Sequence, residues 1–180
     1  MPNIIVYRHA EPVVSDNEII LGHDFPLWVS RYNASDILTA KAIDPKEPFI
    51  LASTLKRSVE TGKLLGREVR EHSLLREAEV PLIRFPAFRM KAKYWLMFSR
   101  ILWLLGFYKD CESFDAAKQR INKITDLIHS YLNVNKKVVM VGHGFMNRLL
   151  RKRLIQQGWS LKTNEGNGFM SKMVFKKEQL

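Results

Sequence analysis

Short apolar runs punctuate this chain, and their length and periodicity separate strands from helices. Ile4-Ile5-Val6-Tyr7 is β-branched and aromatic with no polar alternation, the pattern of a strand covered on both faces. Phe49-Ile50-Leu51-Ala52 and Val138-Val139-Met140-Val141 read the same way. The intervening stretches carry helical signals. Gly22-His23-Asp24-Phe25-Pro26-Leu27 is a turn that launches a helix from about Trp28 to Ile37, and Asp44 to Pro48 is a break. Leu55 to Gly66 alternates Val59, Leu64 and Leu65 with Lys56, Arg57, Glu60 and Lys63, behind a candidate cap at Ser53-Thr54. Phe114, Ala117, Ile121, Ile124, Leu127, Ile128 and Tyr131 recur at spacings of three and four behind the candidate cap Ser113. A last helix is expected from about Phe145 to Gln157. Lys172 to Lys177 predicts a short edge strand guarded by lysines. Buried strands alternating with helices predict an α/β fold: three layers, with a mainly parallel, doubly wound sheet flanked by helices in one domain over residues 1–180.

One segment stands apart. Arg89 to Tyr108 holds Tyr94-Trp95-Leu96-Met97-Phe98 and Ile101-Leu102-Trp103-Leu104-Leu105, split by Ser99-Arg100. As one helix it places Arg89, Lys93 and Arg100 along a narrow side. A membrane span needs about 20 consecutive apolar residues, and Arg100 breaks this run in its middle. Core packing is the plainest expectation. A cover over a site, a dimer contact, or a peripheral membrane contact through Trp95 to Trp103 stays open.

Composition narrows the class only modestly. At 180 residues, 46% hydrophobic and 26% charged, the chain suits one globular domain. Its single cysteine, Cys111, excludes an internal disulfide and a cysteine-built metal site. With no signal-peptide pattern at the N-terminus, a cytoplasmic location is expected. The net charge of +11 favours anionic partners. Arg148, Arg151, Lys152 and Arg153 lack interleaved aromatic residues, so a solvated face is expected rather than nucleic-acid binding.

Candidate chemistry lies where the predicted strands end. Open α/β sheets bind ligands at the carboxyl edge. Arg8 and His9 follow the first strand, Arg57 opens the helix after the second, and His143 follows the third. Arg57 sits in a first helical turn, where the dipole favours anions over cations. It is therefore either merely exposed or aimed at an anion bound there. Glu77 and Glu79 sit in a loop before Pro81. Arginine forks match phosphate oxygens, imidazole can attack phosphorus, and a carboxylic acid can protonate a leaving oxygen.

This set resembles the histidine phosphatase superfamily, the clan that includes the cofactor-dependent phosphoglycerate mutases. Arg8-His9-Ala10 is similar to its Arg-His-Gly signature, and Ser53-Thr54-Leu55-Lys56-Arg57, with Thr61 four residues on, to its second-arginine motif. Leu75-Arg76-Glu77 resembles the acid-bearing loop, Gly142-His143-Gly144 the C-terminal histidine motif, and Gly22 to Leu27 the Gly-x-x-Asp-x-Pro-Leu turn. The resemblance spans about residues 4–150.

It implies a phosphoglycerate mutase-like fold and a metal-independent phosphomonoesterase without cofactor. His9 would be the nucleophile and form a phosphohistidine. Arg8, Arg57 and His143 would hold the phosphate, and Glu77 would be the general acid, with Glu79 as the alternative. The substrate would be a small phosphorylated metabolite or a phosphoprotein. Two other functions remain open, a non-catalytic phosphate-ligand binding module and a mutase-type phosphotransferase.

Three departures bear on this. Ala10 replaces the glycine, where a methyl group is expected to crowd backbone that approaches phosphate. The acid loop lacks the Gly-x-Trp-Glu continuation. The aromatic and basic insertion at about 85–110 lies where relatives vary with substrate.

Overall fold

The computed structural model describes residues 2–38, 46–84 and 86–177. Asp44 and Pro45 of the expected break lie outside them. In chain order the elements are β1 (Asn3–Arg8), β2 (Ile19–Leu21), α1 (Phe25–Ala34), β3 (Glu47–Ala52), α2 (Lys56–Leu65) and β4 (Gly66–Glu71). Then follow β5 (Arg89–Lys91), α3 (Ala92–Leu104), α4 (Phe114–Leu132), β6 (Lys137–Gly142), α5 (Gly144–Gln156), β7 (Ser160–Glu165) and β8 (Lys172–Lys176). Six strands form one sheet in the order β4-β3-β6-β1-β8-β7. β4, β3, β6 and β1 run parallel, while β8 is antiparallel to both β1 and β7.

The apolar strands lack polar alternation because both faces of the sheet are covered. Side chains alternate across a strand, and the two sets enter different clusters. Ile4, Val6, Leu51, Val138 and Met140 pack with Ile121, Ile124 and Ile128 of α4 and Leu150 and Leu154 of α5. Ile50, Val139 and Val141 pack on the other face with Ile5, Tyr7 and Leu65. Each such buried aliphatic side chain contributes about 1.5–3 kcal/mol. The α4 cap forms as expected, with Ser113 Oγ accepting from Ala116 N at 3.1 Å.

Several elements differ from the sequence expectation. The first helix begins at Phe25, with Pro26 in its first turn, and stops at Ala34; Ile37 instead bridges to Pro12. Ser53 does not cap α2 directly, because its Oγ accepts from Leu55 N, the residue that opens the helix. Lys172–Lys176 is an interior strand rather than an edge. β7, which is mostly polar, pairs outside it. β4 also escaped the apolar pattern, since Arg67, Glu68, Arg70 and Glu71 leave only Val69 as an apolar mark.

Residues 89–108 are not one helix. Arg89 lies in β5, which pairs with β2 in a separate two-stranded sheet, so it does not share a helical side with Lys93 and Arg100. Extended backbone at Arg89–Lys91 lets Ala92 N donate to Glu18 O at 2.8 Å before α3 begins. α3 buries Ala92, Trp95, Ser99 and Trp103. Trp95 and Ala92 join Ile20, Phe25, Trp28 and Val80 in a small core of their own. No helix among the described residues is long and apolar enough to cross a membrane.

Candidate active site

The register of β1 on β6 sets the centre of the site. Arg8 pairs with Gly142, so His9 and His143 leave the sheet side by side. His9 N donates to Gly142 O at 3.1 Å, and the two imidazole centroids are 5.0 Å apart. His9 is only 3% exposed.

Its two ring nitrogens have partners that fix the tautomer. Ala10 O lies 2.7 Å from Nδ1 and can only accept, so Nδ1 carries the hydrogen. The Arg57 Nε–H donates to Nε2 at 3.2 Å, so Nε2 keeps its lone pair. Burial, then the Arg57 charge, lower the His9 pKa from 6.5 to about 3, with Arg8 adding to the effect. The ring is thus a neutral base over the whole physiological range.

Arg57 reaches His9 because α2 turns its polar side inward. The helix buries Arg57, Ser58, Thr61 and Gly62, while Val59, Leu64 and Leu65 are only half-buried. Arg57 Nη1 donates to Asn33 Oδ1 at 3.1 Å and Tyr32 O at 3.3 Å, and its guanidinium lies 4.8 Å from the Tyr32 ring centroid. Burial lowers the Arg57 pKa from its ordinary value, and the charges of Tyr32 and Glu77 work in the opposite direction. Thr61 Oγ1 donates to Arg57 O and accepts from Ala10 N at 2.8 Å, which ties α2 to the turn after β1.

The same bond fixes the backbone at Ala10, where a methyl group is expected to crowd the site. The N–H of Ala10 points to Thr61, its backbone needs no positive φ, and its side chain is buried at 2% exposure.

His143 is fully buried, and neither ring nitrogen has a hydrogen-bond partner among the described residues. Burial, then His9 and the arginines, hold its pKa well below the usual histidine range. Arg8 lies across the start of α5. A Cβ on Gly144 would come within 3.4 Å of the Arg8 guanidinium carbon, so glycine leaves room there. Arg8 stacks on Phe169 at 4.5 Å and donates to Asn167 O at 3.2 Å.

The two candidate acids part company. Glu77 closes the N-terminus of α5: Oε2 accepts from Phe145 N at 3.0 Å, and Oε1 from Met146 N at 3.1 Å and Ala78 N at 3.0 Å. Free amides at a helix start favour such a carboxylate, and it sits two residues beyond His143 along that turn. The Glu79 side chain is exposed at the rim.

Carbonyl bonds hold the loop from both sides. Arg120 Nη1 donates to Leu74 O and Arg76 O, both at 2.7 Å, while its other nitrogens pair with Glu112. Arg100 Nη2 donates to Ala78 O at 2.7 Å and its Nη1 to Glu79 O at 3.4 Å. Ser99 Oγ donates to Pro81 O at 2.6 Å.

Arg8, His9, Arg57, Glu77 and Glu79 line one cleft of about 290 Å³. Trp28, Val29, Leu82 and Leu96 also line it, together with Asn33, Arg76, Arg100 and Asp110. Sequence reasoning missed Tyr32, Asn33, Phe169, Arg100 and Arg120 as supports. Only tertiary approach brings them to the site, and no local pattern marks them. Of the basic cluster on α5, Arg148, Arg151 and Lys152 are exposed and Arg153 is half-buried.

The family model for the histidine phosphatase superfamily (branch 1) matches residues 4–179. A search of curated proteins finds no match. Solved structures of similar fold include an alpha-ribazole phosphatase from Shigella flexneri, with a TM-score of 0.55 and 18% identity over 85% of this chain and 79% of that one. A phosphoserine phosphatase mutant from Entamoeba histolytica, in complex with phosphoserine, gives 0.56 and 16% over 98% and 91%. A phosphoglycerate mutase from Bacillus anthracis gives 0.57 and 16% over 99% and 92%. Likeness at these identities establishes the phosphoglycerate mutase-like α/β fold.

Proposed function

The chain belongs to the histidine phosphatase superfamily, branch 1, and from that premise we propose that it is a metal-independent phosphomonoesterase that works through a phosphohistidine at His9. The observation that carries this reading is the His9 tautomer. With Nδ1–H held on Ala10 O, the unprotonated Nε2 sits between a guanidinium and the second imidazole.

A phosphate monoester entering the cleft takes over the Arg57 N–H now given to Nε2. Arg57 and Arg8 then hold the non-bridging oxygens, and a ring N–H of His143 adds a further donor. Nε2 attacks phosphorus as the bond to the ester oxygen breaks. Positioning and charge stabilisation dominate such a loose transfer.

Glu77 is the proposed acid. Its Oε2 accepts a single amide hydrogen bond, which leaves a lone pair for the proton it delivers to the departing oxygen. Water then attacks the phosphohistidine, gives its proton to Glu77, and releases inorganic phosphate and neutral His9.

The arginines supply the positive charge that a metal supplies in other phosphatases. No group of three or more His, Cys, Asp or Glu among the described residues is placed to hold a metal ion. The complete set of Arg8, His9, Arg57, Glu77 and His143 supports catalysis over a non-catalytic binding module. Substrates are proposed among small phosphorylated metabolites or phosphoproteins, because the cleft of about 290 Å³ has room beyond the phosphate ligands and mixes apolar walls with Asn33, Arg76 and Arg100.

Hydrolysis of an aryl phosphate in excess chelator tests the reading. The native chain is expected to turn over. His9→Ala is expected to lose activity by at least about a thousandfold, as nucleophile removal does. Activity that persists in His9→Ala, or that vanishes with the chelator, contradicts it.

A further inference from the structure

One face of α3 is unused by the fold. Tyr94, Met97, Phe98, Ile101, Leu104 and Leu105 recur at helical spacing and are all exposed, from 43% at Tyr94 to 70% at Leu105. Phe107 and Tyr108 extend the stripe past the helix end, at 60% and 43%. The opposite side of the same helix buries Trp95, Ser99 and Trp103. An exposed apolar face this continuous marks a contact surface, unlike single scattered apolar residues.

Between Glu79 and Asp110, the segment that carries the stripe has charges of one sign. From Val80 to Lys109 the chain holds Arg84, Arg89, Lys91, Lys93, Arg100 and Lys109 and no aspartate or glutamate. Arg100 is spent on the acid loop. Arg84, Arg89, Lys91 and Lys109 are exposed and make no ion pair among the described residues. Lys93 donates to the amide oxygen of Asn17, which carries no charge.

We infer that this stripe docks the protein on an anionic lipid surface, with α3 lying flat at the headgroup level. Aromatic and aliphatic side chains flanked by unpaired cations are the composition of an interfacial helix. A second copy of the chain fits less well, because stripe-to-stripe contact brings two sets of uncompensated cations together on molecules that each carry +11. The position also matters. Leu96 and Arg100, on the flank of α3 next to the stripe, form one wall of the cleft, and exposed Leu82 borders it. Docking therefore brings this wall of the cleft beside the lipid. On the phosphatase reading above, this makes a phosphate monoester borne by the membrane a fitting substrate.

Co-sedimentation with vesicles tests this. The full chain is mixed with phosphatidylglycerol–phosphatidylcholine vesicles and with pure phosphatidylcholine vesicles at low and physiological salt. Binding is expected to the anionic vesicles, weaker by at least about tenfold on neutral ones and reduced by salt. The double variant Ile101→Glu/Leu105→Glu and the variant Arg89→Glu/Lys91→Glu are each expected to lose binding by at least about tenfold. Both keep hydrolysis of a soluble aryl phosphate, which shows that they fold and separates this proposal from the catalytic one.

No binding of the native chain at low salt overturns the inference. Binding untouched by Ile101→Glu/Leu105→Glu reduces it to general electrostatic adsorption and overturns it equally. A dimer in light scattering that this same variant dissolves, without vesicle binding, assigns the stripe to self-association instead.

Discussion

His9 owes its chemistry to its immediate neighbours. The carbonyl of the next residue sets the tautomer, and Arg57, 48 positions away, presents its N–H to the other nitrogen. Glu77 and Glu79 show how two carboxylates in one loop divide by contact rather than by sequence. Glu77→Gln is expected to lower turnover of an alkyl phosphate, whose leaving oxygen needs a proton, by roughly 10²–10⁴. With 2,4-dinitrophenyl phosphate, whose leaving group needs none, the same variant is expected to release one burst of product and then stall. Glu79→Gln is expected to stay near native on both. Steady-state and burst kinetics on the two esters check this, and a leaving-group dependence in Glu79→Gln would transfer the acid role to that residue. The sequence made Arg8, His9, Arg57 and His143 legible because each stands at or just after the end of a parallel strand, where apolar run meets polar residue. It left Tyr32, Asn33 and Phe169 silent. They act through a backbone carbonyl, a side-chain amide and a ring face on partners far along the chain, and such contacts have no local spacing.

Among the elements, α2 and α3 best show what periodicity can and cannot tell. α2 is helical as its pattern predicts, yet its buried side is Arg57, Ser58, Thr61 and Gly62, because the site rather than the core claims that face. Reading burial from apolar residues therefore inverts this helix. α3 is apolar nearly all round, and packing on one side together with exposure on the other accounts for that. β4 and β7 stayed hidden because edge strands need cover only one side and tolerate charge. α3 also reaches the chemistry through Arg100, whose two carbonyl bonds hold Ala78 and Glu79 in place. Arg100→Met keeps the stacking volume over Trp103 and Phe145 but removes those bonds. It is expected to lower kcat on alkyl phosphates roughly tenfold, about 1.4 kcal/mol, with KM nearly unchanged. A raised KM with native kcat would instead make Arg100 a direct substrate ligand.

At the scale of the whole molecule, the mixed sheet with helices on both faces was readable from three apolar runs and the helices between them. The order of its outer strands was not. The fold buries two neutral imidazoles beside two guanidiniums, and that couples stability to pH. Unfolded histidines take up protons as pH falls below about 6.5, whereas native His9 does so only near 3 and His143 is likewise depressed. The unfolded chain therefore binds more protons in that window, so stability is full above about pH 6.5 and falls as pH drops through it. Proton NMR is expected to show no titration of the His9 and His143 ring protons between about pH 5 and 8 in the free protein. A midpoint near 6.5 for His9 would mean that its nucleophilic nitrogen is not held unprotonated in the way the hydrogen bonds indicate. The most direct test of the account is to look for phosphate on that nitrogen. Glu77→Gln, mixed with 2,4-dinitrophenyl phosphate and quenched in alkali, is expected to carry one phosphoryl group on Nε2 of His9, seen by mass spectrometry of the His9 peptide and by phosphorus NMR. A phosphoryl group on another residue, or hydrolysis with no phosphoenzyme in either Glu77→Gln or the native chain, would contradict it.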